Sequence, residues 1–257
     1  MSGKHDIIAH YEHGRRDEGS TPLILSSSLG TTSEMWAPQV EALSETFHLI
    51  TFDHRGHGRS AVPPGPYDLA DLGRDVLDLM DTLSIEKANF AGLSLGGMVG
   101  MWLGINSPER VERLALLCTY AEAASPVLWH ERAAQVRESG TEALLEASIE
   151  RWFTAAFRSS NPHTVEGFRR MLASVSDEGY AGCCEAIATM TLSNELGNIA
   201  APTLVIAGAY DTGATPEMSH RLTASIPDAH FAEVAGAHLA NVEASAVVSS
   251  LLHDHFA

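Results

Sequence analysis

A chain of 257 residues with 45% apolar side chains is long enough to bury a full core, and its composition is that of a globular protein. Thirty-three acidic against sixteen basic side chains give a formal charge of −17, which argues against nucleic acid or an anionic membrane surface as partner. A small anion held by local arginines is not excluded by that total. No window approaches the roughly 18 apolar residues of a membrane span. The start, "MSGKHDIIAHYEHGRRDEG", lacks the apolar centre of a secretory leader, and three cysteines make no disulfide framework. A cytoplasmic location is expected.

The elements alternate along the chain. Short β-rich runs occur at "PLILSSS" (22–28), "FHLITFD" (47–53), "ANFAG" (88–92), "RLALLC" (113–118), "PTLVIAG" (202–208) and "HFAEVAG" (230–236). Most are near-continuously apolar, as buried parallel strands are. Between the second and third, Leu69, Leu72, Val76, Met80 and Leu83 step by three and four residues along one helix face. A second helix is expected over 216–226, with Thr215 as N-cap and Pro216 at its first position, and a third over "VEASAVVSSLLHDHF". This alternation predicts a three-layer α/β sandwich. Residues 122–195 break it with helical segments and no convincing strand, so two divisions are expected: a core of 1–121 and 196–257, and a helical insertion of 122–195 above the C-terminal strand ends.

At 92–96 the chain reads Gly-Leu-Ser-Leu-Gly, a G-x-S-x-G pattern set between a predicted strand and a predicted helix. In that context the pattern is a nucleophile elbow. The glycines leave room for a strained turn that lifts Ser94 clear of the sheet, at a helix N-terminus that favours negative charge. Gly96, Gly100 and Gly104 also share one helix face, which predicts close packing on the sheet. A nucleophilic serine needs a base, and the base needs an orienting acid. Asp211 follows the "PTLVIAG" strand and His238 follows the "HFAEVAG" strand, in the chain order serine, acid, histidine that this fold requires. The competing acid, Asp53 in "DHRGHGRS", reads as a turn residue. His54 and His57 beside it lack the carboxylate or cysteine partners of a metal site, so no metal is expected. The oxyanion hole is assigned to the backbone N–H groups of Leu95, after the nucleophile, and of Leu29, in the loop after "PLILSSS".

The ordered set of elbow, "DHRGHGRS", Asp211 and His238 resembles the α/β-hydrolase family over essentially the whole chain. A narrower resemblance, to the 3-oxoadipate enol-lactonases of bacterial aromatic catabolism, rests on "LILSSSLGTTSEMWAPQV", "RWFTAAFR", "GYAGCCEAI" and "AGAHLANVE". Ser27 and Ser28 stand where many relatives carry His-Gly. The chain start is short beside that family, and no first edge strand is assigned. The resemblance implies an α/β-hydrolase fold with a mostly parallel sheet, flanking helices and a helical cap. It also implies opening of an enol-lactone to 3-oxoadipate without cofactor, in aromatic compound catabolism. A general carboxylesterase or perhydrolase of the same fold is the alternative. The lactone is anionic, so an arginine clamp is expected among Arg132, Arg137, Arg151, Arg158, Arg169 and Arg170 of the insertion. Arg132, three residues after Trp129, is the first candidate, and Trp152 beside Arg151 is a second aromatic wall.

Overall fold

In the computed structural model, which describes residues 8–16 and 19–257, six strands fall on the six apolar runs. They are β2 (Leu23–Ser26), β3 (Leu49–Phe52), β4 (Ala88–Leu93), β5 (Val111–Leu117), β6 (Thr203–Gly208) and β7 (Ala229–Val234). Residues 1–7, part of the stretch read for a leader, lie outside the described residues. A seventh strand, β1 (His10–His13), supplies the edge that the sequence left unassigned, pairing antiparallel with β3. The sheet order is β1-β3-β2-β4-β5-β6-β7, and every pair but the first is parallel. Strands β2, β3, β4 and β6 are buried at every position, because helices cover both sheet faces.

Among the described residues, three α-helices precede the insertion: α1 (Ala37–Leu43), α2 (Leu69–Thr82) and α3 (Leu95–Asn106). Helix α2 starts where Asp68 and Asp71 cap each other reciprocally, and it buries Leu69, Leu72, Val76, Leu79 and Met80. The insertion between β5 and β6 carries α4 (Pro126–Ser139), α5 (Leu145–Trp152), α6 (Ala155–Ser160), α7 (Pro162–Ala173) and α8 (Asp177–Thr189). Helix α9 (Pro216–Ser225) is capped by the Thr215 hydroxyl. The final helix expected from the sequence is two, α10 (Ala240–Glu243) and α11 (Ser245–Phe256), because the backbone leaves helical geometry at Ala244. No helix among the described residues is long and apolar enough to cross a membrane.

Strand order positions the site. The chain leaves β2 toward β3 on one side while β4 lies on the other, so the loops after β2 and β4 diverge over a crevice. Register makes them neighbours, since Ser26 pairs with Gly92. Helix α3 then packs directly on the sheet. A Cβ on Gly96 would stand 2.2 Å from the Ser26 carbonyl oxygen, and one on Gly92 would stand 2.1 Å from the Gly96 carbonyl oxygen. Both obstacles are backbone and cannot rotate away. Gly92→Ala is therefore expected to cost more than about 3 kcal/mol, lowering Tm by roughly 6 °C or more. Thermal unfolding checks this, and a Tm within about 2 °C of the parent would mean that the elbow relaxes freely.

Candidate active site

Ser94 occupies the turn between β4 and α3 with φ 56° and ψ −112°, a conformation L residues seldom adopt. Its backbone is held firmly: the N–H donates to the Leu117 carbonyl at 2.9 Å, and its carbonyl accepts the Thr119 hydroxyl at 2.8 Å. Its own hydroxyl has no hydrogen-bond partner among the described residues and borders a cavity of about 230 Å³. The strained turn directs a buried serine toward the cavity on a rigid base.

Asp211 and His238 follow the ends of β6 and β7, whose register pairs Gly208 with Val234. Their loops therefore leave the sheet side by side. His238 Nδ1 and Asp211 Oδ2 are 2.7 Å apart, both residues being buried. The other carboxylate oxygen accepts the Gly213 and Ala214 amides at 2.8 and 3.0 Å, which fixes the plane of the acid. Burial would raise the Asp211 carboxyl, but the charge and hydrogen bond of His238 and the two amides hold it below the ordinary carboxylate range. An ionised Asp211 keeps the proton of His238 on Nδ1, leaving Nε2 as a base. Nε2 is buried, has no partner among the described residues, and belongs to the imidazole that lines the cavity with Ser94. Asp53 is excluded from this role. Its carboxylate accepts the Ser33 and Arg59 amides at 2.8 and 3.0 Å and so closes a turn.

The amides of residues 28–33, in the loop after β2, can be accounted for one by one. Ser28 donates to Met35 Sδ, Gly30 to His57 Nε2, Thr31 to the Ser28 carbonyl, Thr32 to Met171 Sδ and Ser33 to Asp53. Leu29 N–H alone in that run has no acceptor among the described residues, and Leu95 N–H, at the start of α3, has none either. Two free amides flanking the crevice beside Ser94 are what an oxyanion hole requires.

Over these groups the cavity is closed by Tyr120, Leu128, Trp129, Arg132, Arg151 and Met218. Neither arginine forms an ion pair among the described residues, whereas Arg137 pairs with Glu178 and Glu185, and Arg169 with Glu146. The Arg132 guanidinium lies 5.1 Å from the Trp129 ring centroid. Burial pushes the Tyr120 and Tyr180 phenols up to about 12 against the pull of both guanidinium groups. A protein of net charge −17 thus places on the wall of one small cavity two arginines that have no carboxylate partner among the described residues.

The family profile described as alpha/beta hydrolase fold matches residues 21–245. The chain belongs to the α/β-hydrolase family. Similar proteins include 3-oxoadipate enol-lactonase 2 of Acinetobacter baylyi, 40% identical over 93% of this chain and 89% of that protein. The enol-lactonase 1 of the same organism is 35% identical over 95% of this chain and 94% of that protein. Among solved structures, an enol-lactonase from Burkholderia xenovorans LB400 superimposes with a TM-score of 0.94 at 40% identity, over 96% of this chain and 95% of that one.

Within this α/β-hydrolase the expected residues separate into two groups. Ser94, His238, Trp129 and Arg132 meet at one cavity, with Asp211 bonded to His238; Leu95 directly follows Ser94, and Leu29 lies in the loop after β2. Trp152 does not line that cavity. It is 1% exposed, meets Phe168 edge-on, and packs over Gly30. Its carbonyl accepts the Leu239 amide at 3.0 Å, and Glu243 joins Thr154 to the Ala237 amide, so this end of α5 braces the histidine loop. Arg151, the neighbour of Trp152 and one of the six arginines expected to supply the clamp, lines the cavity in its place. Helix α5 buries Ser148, Ile149 and Trp152. That spacing already signals an apolar stripe through Trp152 and a different direction for Arg151.

Proposed function

We propose that the protein is a serine hydrolase that opens 3-oxoadipate enol-lactone to 3-oxoadipate in aromatic catabolism. The observation that carries this reading is the meeting of Ser94 and His238 with two unpaired arginines in one small cavity. In this reading residues 122–195 form a cap that supplies the arginines, while 1–121 and 196–257 supply the nucleophile, base and acid. His238 Nε2 takes the proton of Ser94 as its Oγ attacks the lactone carbonyl. The Leu29 and Leu95 amides receive the negative oxygen. Collapse of the tetrahedral species breaks the ring C–O bond. The enol oxygen leaves with the proton from His238 and the enol converts to the ketone. Water then gives its proton to His238 and attacks the acyl-enzyme, which releases the acid and restores Ser94. Each step moves a proton between oxygen and imidazole, so the chemistry calls on no metal or cofactor. Three buried cysteines present as thiols fit a reducing cytoplasm.

The test is a paired assay with the enol-lactone and an uncharged aryl ester. The lactone is expected to be turned over with the higher kcat/KM. Arg132→Met and Arg151→Met should each raise KM for the lactone by roughly 10- to 100-fold, the value of a charge-assisted hydrogen bond, with little change for the uncharged ester. Rapid turnover of the ester with none of the lactone would replace this reading with a general carboxylesterase.

A further inference from the structure

The two histidines of "DHRGHGRS" take no part in the proton path above, yet both are buried and both bond to the loop after β2. Their tautomers follow from their partners, because a backbone amide only donates and a carbonyl only accepts. His57 Nε2 stands 3.1 Å from the Gly30 amide nitrogen, and its Nδ1 stands 3.1 Å from the Arg55 carbonyl oxygen. His57 is therefore neutral, with its proton on Nδ1 and a bare Nε2. His54 has the opposite form, since its Nε2 donates to the Ser27 carbonyl at 3.1 Å. Burial drives His57 down to about 4 and His54 to about 3, so both stay neutral through the neutral range.

These bonds act on the loop that carries the free Leu29 amide. The Ser27 carbonyl also accepts the Gly96 amide at 3.1 Å, which ties the end of β2 to the elbow helix. Asp53 holds the Ser33 amide at the far end. Between these two anchors, His57 is the acceptor for Gly30, the residue directly after Leu29. Gly30 has φ 79°, a region glycine enters without cost, so the chain's own sterics do little to fix its peptide planes. We infer that His57 is a positioning residue for hydrolysis: by accepting the Gly30 amide hydrogen it orients the adjoining Leu29 amide as an oxyanion donor. A merely structural His57 would affect stability and leave kcat alone.

The inference rests on Ser94 being the nucleophile, a reading that covalent labelling of the wild-type protein by a serine-directed phosphonate tests by itself. The full chain is then compared as His57→Leu, which keeps bulk without an acceptor, and His57→Gln, whose Oε1 reaches the place of Nε2. His57→Leu is expected to lower kcat by roughly 100-fold, the low end for loss of an oxyanion donor, with KM within about threefold. His57→Gln should recover most of that loss. A labelled wild type together with a folded His57→Leu of near-normal kcat overturns the inference and leaves the nucleophile standing. A loss carried in KM, or a Gln variant no better than Leu, overturns it equally. Should the Leu variant not fold, the decision falls to the Gln variant and to long-range proton–nitrogen spectra of the wild-type imidazoles. The expected signature is a neutral ring protonated at Nδ1 that disappears in His57→Gln; a charged ring, or one protonated at Nε2, overturns the inference.

Discussion

Ser94→Ala is expected to reduce turnover of the enol-lactone by roughly 10⁵-fold or more while leaving the fold in place. The two halves of this expectation have separate causes. The hydroxyl has no hydrogen-bond partner among the described residues, so its removal orphans nothing in the core. What shapes the elbow is backbone: the Ser94 N–H on Leu117, its carbonyl on Thr119, and the close seat of Gly96 on Ser26. Alanine keeps all of these, and at φ 56° it is strained no more than serine. Tm should stay within about 2 °C of the parent, as for substitutions that disturb no packing. Near-normal turnover in the purified variant would remove Ser94 from the mechanism and would take the proposed activity with it.

Asp211→Asn should lower kcat by roughly 10⁴-fold with KM little changed. The size of the effect follows from where the amide must point. One oxygen of Asp211 accepts from the Gly213 and Ala214 amides. In asparagine only the carbonyl oxygen can take that place, which turns the NH₂ group toward His238 Nδ1. Nδ1 then becomes an acceptor, the imidazole proton moves to Nε2, and the ring loses the lone pair that receives the serine proton. Steady-state kinetics over a range of pH checks this, and a variant within tenfold of the parent would mean that the acid serves only to pack the loop.

How far the sequence reveals this site depends on the distance over which each feature is determined. Ser94, Asp211 and His238 each follow an apolar run directly, and a parallel sheet carries the ends of such runs to one edge. Their convergence is thus a property of strand order that a sequence expresses. Strand β1 was not legible because "HYEH" has no apolar run; it forms by pairing with β3, and only His13, Tyr11 and His10 are partly covered. Trp129 and Arg132 were legible as a pair on one helix face, and the fold turns that face to the cavity. Trp152 was misplaced by size and adjacency, since a tryptophan beside an arginine suggests a wall until the burial of Ile149 shows which face of α5 points inward. The hydrogen bonds that hold the loop after β2 join residues about 27 positions apart, with donor and acceptor set by the tautomer of a buried ring. Nothing local in "SSSLGTT" or "DHRGHGRS" specifies them.

The "DHRGHGRS" turn has a second neighbour. Its Gly56 meets Gly179 of α8 so closely that a Cβ on Gly56 would stand 2.2 Å from the Gly179 Cα, and the Gly56 carbonyl accepts the Ser176 amide at 3.3 Å. On its other flank, Arg55 forms a two-pronged bond with Asp75 of α2 at 2.6 and 2.8 Å. The inserted helices and the loop after β2 are therefore mounted on the same few residues. A displacement of α8 would press on residues 55–57, whose His57 ring holds the Gly30 amide. Helix α8 and the Gly30 end of the loop after β2 thus share one support, so redesign of the inserted helices is expected to change the seating of that loop as well.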